Sequence, residues 1–132
     1  MITNIYHNGL VLKFNNEKGE LISFYPPSGY RSIYGFMELA DGLICWLGWD
    51  DNSTGEQKRR NALKIDNNGK IVWIIKDHLV DLRKRKPGQE SLLEARKQAS
   101  ISNLFTEKGN LIVRISDDMD YILNPQNGEI TF

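Results

Sequence analysis

The sequence predicts an all-β protein made of antiparallel four-stranded sheets, and three observations lead to this prediction. Segments 33–73 and 101–132 follow one plan: an Ile-led strand, a Leu-Ile strand before an Asp-Asp pair, and a hairpin. Apolar side chains in the hairpins alternate with polar ones, which is the two-residue period of a half-buried strand. Asn-Gly at 68–69 and 127–128 favours tight reversals. The internal repeat indicates the architecture before local propensities are considered.

The length of 132 residues corresponds to one domain, 1–132, large enough to bury a core without disulfides or metals. We divide it into a partial blade-like unit (1–31), a blade-like repeat (32–76), a linker (77–99) and a second blade-like repeat (100–132). Both complete repeats are expected to form four strands, whereas the N-terminal unit has three.

Aligning the two repeats with a constant shift places the apolar strands of one over those of the other. The predicted strands lie at about 2–6, 9–15, 20–25, 32–39, 43–49, 60–66, 70–76, 100–106, 110–116, 119–124 and 128–132.

The linker breaks the strand pattern, since it is rich in Lys, Arg, Glu and Gln and contains Pro87-Gly88. Ser91 followed by Glu94 fits a capping box, which predicts one short helix near 91–99. Such a helix could cover an open sheet edge.

Segment 63–73 reads Leu-Lys-Ile-Asp-Asn-Asn-Gly-Lys-Ile-Val-Trp, and this pattern resembles a blade of the quinoprotein-type β-propeller. Closed propellers contain about four to eight blades, so two and a half units cannot close a ring. The resemblance therefore implies an open, propeller-like stack or a sandwich of twisted sheets. It carries over no quinone site, because such sites are built by a full ring.

Composition gives no support for nucleic acid or an anionic membrane as the partner. Seventeen basic side chains balance seventeen acidic ones, so no overall field steers the protein toward nucleic acid or a membrane surface. Cys45 is the single cysteine and sits in an apolar strand, which favours a reduced, cytoplasmic setting and a buried thiol. The sequence shows neither a signal peptide nor an apolar run long enough to span a membrane.

No sequence motif of an enzyme is present, so we expect no catalytic residue, metal or cofactor. Asp50-Asp51 and Asp117-Asp118 occupy equivalent places after the second strand of each repeat. They could bind a divalent cation or act as acid and base. The alternative, which we favour, is that these short acidic side chains bond their own backbone in turns.

Segment 48–60 is the main asymmetry between the repeats, because the second repeat joins the same strands with only one or two residues. An insertion of this kind often marks a functional face. Tryptophans flank it, its first half is acidic, and alternation requires that one of the two tryptophans face the core. The predicted partner-binding residues are Trp46, Trp49, Asp50, Asp51, Glu56 and, in the aromatic loop 25–31, Tyr30.

A small, neutral, cytoplasmic β-protein with an acidic and aromatic insertion resembles the immunity proteins of bacterial toxin systems, such as contact-dependent growth inhibition. The resemblance implies a non-enzymatic, monomeric or weakly oligomeric protein that binds a cognate toxin, with a nuclease as our first choice. Trp49, Asp50, Asp51 and Glu56 would then plug the basic cleft of that nuclease.

Three other hypotheses remain open from the sequence. The basic segment 76–86 could bind nucleic acid, with Trp73 nearby. The two Asp pairs could form a metal-dependent active site. The chain could also be a structural part of a larger repeat array.

Overall fold

The computed structural model describes residues 2–77, 100–115 and 119–131. Within these residues the chain forms eleven strands and one helix. Their bounds are β1 Thr3–His7, β2 Leu12–Asn15, β3 Leu21–Phe24, β4 Tyr30–Leu39, β5 Gly42–Trp49, α1 Gly55–Arg59, β6 Ala62–Asp66, β7 Ile71–Ile74, β8 Ile101–Glu107, β9 Asn110–Ile115, β10 Met119–Leu123 and β11 Ile130–Thr131.

The strands form three antiparallel sheets, which confirms the all-β prediction. β1, β2 and β3 form the N-terminal sheet, and β4 to β7 form the central sheet in sequence order. β8 to β11 form the C-terminal sheet, again as a meander. Each predicted repeat therefore forms a sheet of its own, and within the described residues the sheets do not close into a barrel.

The central sheet lies between the other two and is buried on both faces. Along β5, Leu43, Cys45 and Leu47 point into a core shared with the N-terminal sheet, which contains the fully buried Phe14. The intervening Ile44 points into a second core shared with the C-terminal sheet. A strand with both faces covered requires an almost uninterrupted apolar run, and this requirement explains why the β5 sequence does not alternate with polar residues.

Trp73 of β7 joins the central sheet to the C-terminal sheet. Its indole Nε1–H donates a hydrogen bond of 3.0 Å to the carbonyl oxygen of Pro125, and 8% of the residue remains exposed. The ring lies against Gly128 at the point where a Cβ would stand. Gly128 also has a φ of +75°, so the turn needs glycine both for its backbone conformation and for the space given to Trp73.

Two polar side chains make further links between these sheets. Asn61 is fully buried, and its amide donates to the carbonyl oxygens of Leu47 (2.8 Å) and Ile101 (3.1 Å) and accepts from the N–H of Ile101 (2.7 Å). Lys64 is also buried, and its Nζ donates to Asp41 (2.9 Å) and to the carbonyl oxygen of Pro125 (3.2 Å). This hydrogen bond to the ammonium group holds the pKa of the Asp41 carboxyl below its ordinary value.

The helix that the structure describes is not the one that the sequence predicted. The predicted helix near 91–99 lies outside the described residues, whereas α1 lies within the insertion between β5 and β6. Thr54 and Gln57 form a capping box there: the Gln57 N–H donates to Thr54 Oγ1 (3.1 Å), and the Thr54 N–H donates to Gln57 Oε1 (2.8 Å). Thr54-x-x-Gln57 is the sequence signal for this helix.

Cys45 has the structural role expected from the sequence. It is fully buried in the core between the N-terminal and central sheets. Burial raises the pKa of its thiol to about 12, because the charged thiolate would lose its hydration. The thiol therefore stays protonated and acts as a small apolar side chain.

Candidate functional site

The insertion between β5 and β6 begins with a turn that is built on Asp50. The Asp50 carboxylate accepts a hydrogen bond from the Asn52 N–H (2.9 Å), while the Asp50 N–H donates to Ser53 Oγ (3.0 Å). These bonds are those of an acidic residue that stabilises its own turn. The structural role that the sequence analysis favoured for Asp50 is therefore present, and the exposed carboxylate at the tip of the turn is that of Asp51.

Two hydrogen bonds hold the insertion against the loop between β3 and β4 and against the first residue of β4. The buried Ser53 donates from its hydroxyl to the carbonyl oxygen of Gly29 (2.6 Å). The Tyr30 hydroxyl donates to the carbonyl oxygen of Arg60, just after α1, at 2.7 Å. Desolvation raises the pKa of the Tyr30 phenol, so this group remains a neutral donor. The insertion is consequently a defined surface element with a fixed position on the sheet.

Five of the six predicted site residues lie in this region. Tyr30 and Trp49 pair across β4 and β5, and Trp49 is half-buried. Asp50 and Asp51 follow in the turn, and Glu56 lies on α1 with 60% of its side chain exposed.

The sixth residue, Trp46, lies on the other face of the central sheet. Its half-buried ring packs against the core shared with the C-terminal sheet and covers Gly35 on β4. Trp49 is three positions further along the strand, an odd number, so its side chain points to the opposite face of the central sheet. The expectation that one of the two tryptophans faces the core agrees with the packing of Trp46.

Basic residues, which the sequence analysis did not consider, accompany the acidic ones in the insertion. Arg59 is 9% exposed and forms a bidentate pair with Asp77, with distances of 2.8 and 2.9 Å, and this pair raises the pKa of the guanidinium. Arg60 donates from Nε to the carbonyl oxygen of Ile75 (2.9 Å) and pairs with Glu56 at 3.2 Å. Acidic character is thus concentrated at the Asp50–Asp51 turn rather than spread over the insertion.

A groove of about 310 Å³ separates α1 from the loop before β4. Pro27, Tyr30 and Ile74 provide apolar walls, and Glu56 and Arg60 provide a polar rim. A pocket of this size accommodates one large side chain of a partner, which is the usual form of an interface anchor. The turn, α1 and this groove together are called the α1 surface below.

The residues of the other sequence hypotheses lie largely outside the described part of the chain. Lys76 is described: 61% of its side chain is exposed, and it pairs with Glu129 at 3.5 Å. Residues 78–86 of the basic segment lie outside the described residues, as do Asp117 and Asp118. In the part of the chain that the structure describes, no group of three or more His, Cys, Asp or Glu side chains could hold a metal ion.

Comparison with known proteins assigns neither a family nor a function to this chain. No protein-family model, curated protein or solved structure matches this chain. Among residues 2–77, 100–115 and 119–131, no helix combines the length and the apolar character that crossing a bilayer requires.

Proposed function

We propose that this protein is a non-enzymatic binding module whose protein partner docks on the α1 surface. The observation that carries the proposal is the ordered insertion: the second repeat lacks it, yet hydrogen bonds of Ser53 and Tyr30 fix it to the neighbouring loop and to the start of β4. A surface that is already ordered loses little conformational entropy when it binds. Trp49 offers a partly exposed aromatic ring beside the exposed Asp51, a combination that suits an interface anchor with a charged neighbour.

In the form that we favour, the module is a cytoplasmic immunity protein that neutralises a cognate nuclease toxin. A nuclease binds the phosphate backbone and therefore has a basic cleft. The acidic turn at Asp50–Asp51 would be attracted to such a cleft, and the neighbouring Trp49 and Glu56 would cover it sterically. Acidic groups at the interface would act mainly on the rate of association and on specificity.

The proposal predicts protection in a co-expression experiment. The partner to use is the catalytic domain of the toxin encoded by the adjacent upstream gene. Cells that produce this domain should survive when they also produce the wild-type protein. The double variant Trp49→Ala with Asp51→Lys should bind the domain at least about tenfold more weakly, because it loses an aromatic anchor and reverses a charge. Isothermal titration at two salt concentrations measures the change.

The control variant is Glu107→Lys, which makes the same charge change as Asp51→Lys but at an exposed position at the end of β8. It should leave both affinity and protection unchanged. Equal binding by the Trp49 and Asp51 double variant would contradict the assignment of the α1 surface. An upstream gene that encodes no toxin, or a toxin domain that does not bind the wild-type protein, would contradict the immunity function.

A further inference from the structure

Asparagine is followed by glycine at three places in the chain, 8–9, 68–69 and 127–128. Glycine has no Cβ, so its backbone nitrogen can approach the preceding asparagine side chain closely. When this nitrogen bonds to the side-chain carbonyl carbon, a five-membered ring closes and ammonia is expelled. The sequence offers these pairs as three equal candidates for such a modification, and the structure distinguishes them.

The first difference concerns the attacking nitrogen, that of the glycine. The Gly69 N–H donates a hydrogen bond to the carbonyl oxygen of Asp66 (3.1 Å). The Gly128 N–H likewise donates to the carbonyl oxygen of Asn124 (2.9 Å). Ring closure at either place must first break this bond. The Gly9 N–H forms no hydrogen bond within the described part of the chain, so its nitrogen is free to react.

The second difference concerns the carbonyl group that is attacked. Asn8 Oδ1 accepts hydrogen bonds from two backbone N–H groups, those of Leu10 (2.9 Å) and Val11 (3.1 Å). Two donors aimed at the oxygen on which negative charge develops act as an oxyanion hole. The bonds also hold the reactant, but they strengthen as the charge builds, so they favour the transition state. Within the described residues, the side-chain oxygens of Asn68 and Asn127 accept one hydrogen bond each.

We propose that Asn8 is the preferred site of spontaneous deamidation in the folded chain. The Gly9 nitrogen gives its proton to water and forms a bond to Cγ of Asn8. The charge placed on Oδ1 is held by the N–H groups of Leu10 and Val11. The Cγ–Nδ2 bond then breaks, and Nδ2 takes a proton from water and leaves as ammonia. Asn8 is exposed, so ammonia departs directly into solvent and leaves a succinimide ring between residues 8 and 9.

Water opens the succinimide in two ways. Addition at Cγ gives aspartate at position 8, whereas addition at the main-chain carbonyl carbon gives isoaspartate, whose main chain is longer by one carbon. The carbonyl oxygen of Gly9 accepts the Ile33 N–H at 2.8 Å, which links the turn between β1 and β2 to β4. Isoaspartate displaces Gly9 and therefore breaks this link between the N-terminal and central sheets. The proposal does not rest on the function of the α1 surface.

The test incubates the folded full chain at neutral pH in water enriched in heavy oxygen and locates the incorporated oxygen by peptide mapping and mass spectrometry. Asn8 should convert at least about fivefold faster than Asn68 or Asn127, the factor that one hydrogen bond of ordinary strength contributes to a rate. In a sample unfolded in guanidinium chloride the three sites should react at similar rates, because glycine follows each of them.

Hydrogen exchange tests the structural consequence. The form with isoaspartate at position 8 is separated from the aged sample by chromatography and compared with the variant Asn8→Asp, which carries the same charge on an unaltered main chain. The Ile33 amide should lose protection in the isoaspartate form and keep it in Asn8→Asp, since an aspartate side chain can accept the same two N–H groups as Asn8.

Three results would overturn the proposal. One is equal conversion of the three sites in the folded chain, or faster conversion at Asn68 or Asn127. Another is the absence of conversion at Asn8 over a time in which the unfolded chain reacts completely, because the turn would then protect the side chain. The third is equal protection of the Ile33 amide in the isoaspartate form and in wild type, which would remove the effect on the sheets.

Discussion

Replacing Trp73 with Ala should lower the free energy of unfolding by about 3–5 kcal/mol, the usual cost of removing a buried large aromatic side chain. The change removes the ring that packs against Gly128 and the indole N–H that donates to the carbonyl oxygen of Pro125. Both contacts lie between the central and C-terminal sheets. Because the ring belongs to their shared core, the cavity would open at the junction of the two sheets.

Urea unfolding of three variants separates the contributions of Trp73. Trp73→Phe keeps an aromatic ring but loses the indole donor, and it should cost about 1–2 kcal/mol. Val72→Ala is the matched control, since Val72 is the preceding residue of the same strand and is 50% exposed. It should change stability by less than about 0.5 kcal/mol. Equal stability of wild type and Trp73→Ala would show that the two sheets are not joined at this residue.

Replacing Asn61 with Ala should lower the free energy of unfolding by about 3 kcal/mol. The change leaves the N–H and C=O of Ile101 and the C=O of Leu47 without the amide that they share. Asn61 is fully buried, so water cannot replace these bonds without entering the core. A buried polar group left unsatisfied costs about 1–3 kcal/mol.

Thermal unfolding provides the measurement for Asn61. A loss of about 3 kcal/mol in a chain of this size corresponds to a fall in the melting temperature of roughly 10 °C. Asn110→Ala, which changes an exposed amide without a described intramolecular side-chain partner, should leave the melting temperature within about 2 °C. If both variants melted at the wild-type temperature, the Asn61 amide would not connect the sheets.

The strands could be predicted from the sequence because their apolar residues follow simple periods. The hairpin turns at Gly69 and Gly128 have the positive φ expected from their Asn-Gly pairs, 81° and 75°. β5 shows what periodicity alone leaves undecided. A continuous apolar run indicates burial on both faces but does not say which sheet covers which face. That answer depends on long-range packing of Leu43 against one neighbouring sheet and of Ile44 against the other.

The conformation of the insertion was only partly predictable. Its position, and the proximity of Trp49 to the acidic turn, followed from comparing the repeats. The helix was missed because five residues are too few to show a helical period, although the Thr54 and Gln57 capping box was visible. The contact between Tyr30 and Arg60 joins residues 30 positions apart, so no local pattern reports it.

The structure also distinguishes the predicted site residues by how directly each could contact a partner. Asp50 uses its carboxylate within the turn, so a substitution there would alter the insertion as well as its charge. Asp51 is exposed and suits a direct test of charge. Trp46 and Trp49 look equivalent in the sequence, but strand parity sends them to opposite faces of the central sheet. The sequence pattern identified the region better than it ranked the residues within it.

Hydrogen exchange tests the central claim, that the sheet of the first repeat is sandwiched between two others and positions the insertion at its rim. In this arrangement β5 is paired with β4 and β6 and covered on both faces. The amides of Ile44 to Leu47 should exchange most slowly, through global unfolding, whereas those of the edge strand β1 should exchange far faster through local opening. Exchange of the β5 amides as fast as those of β1 would contradict the three-sheet stack.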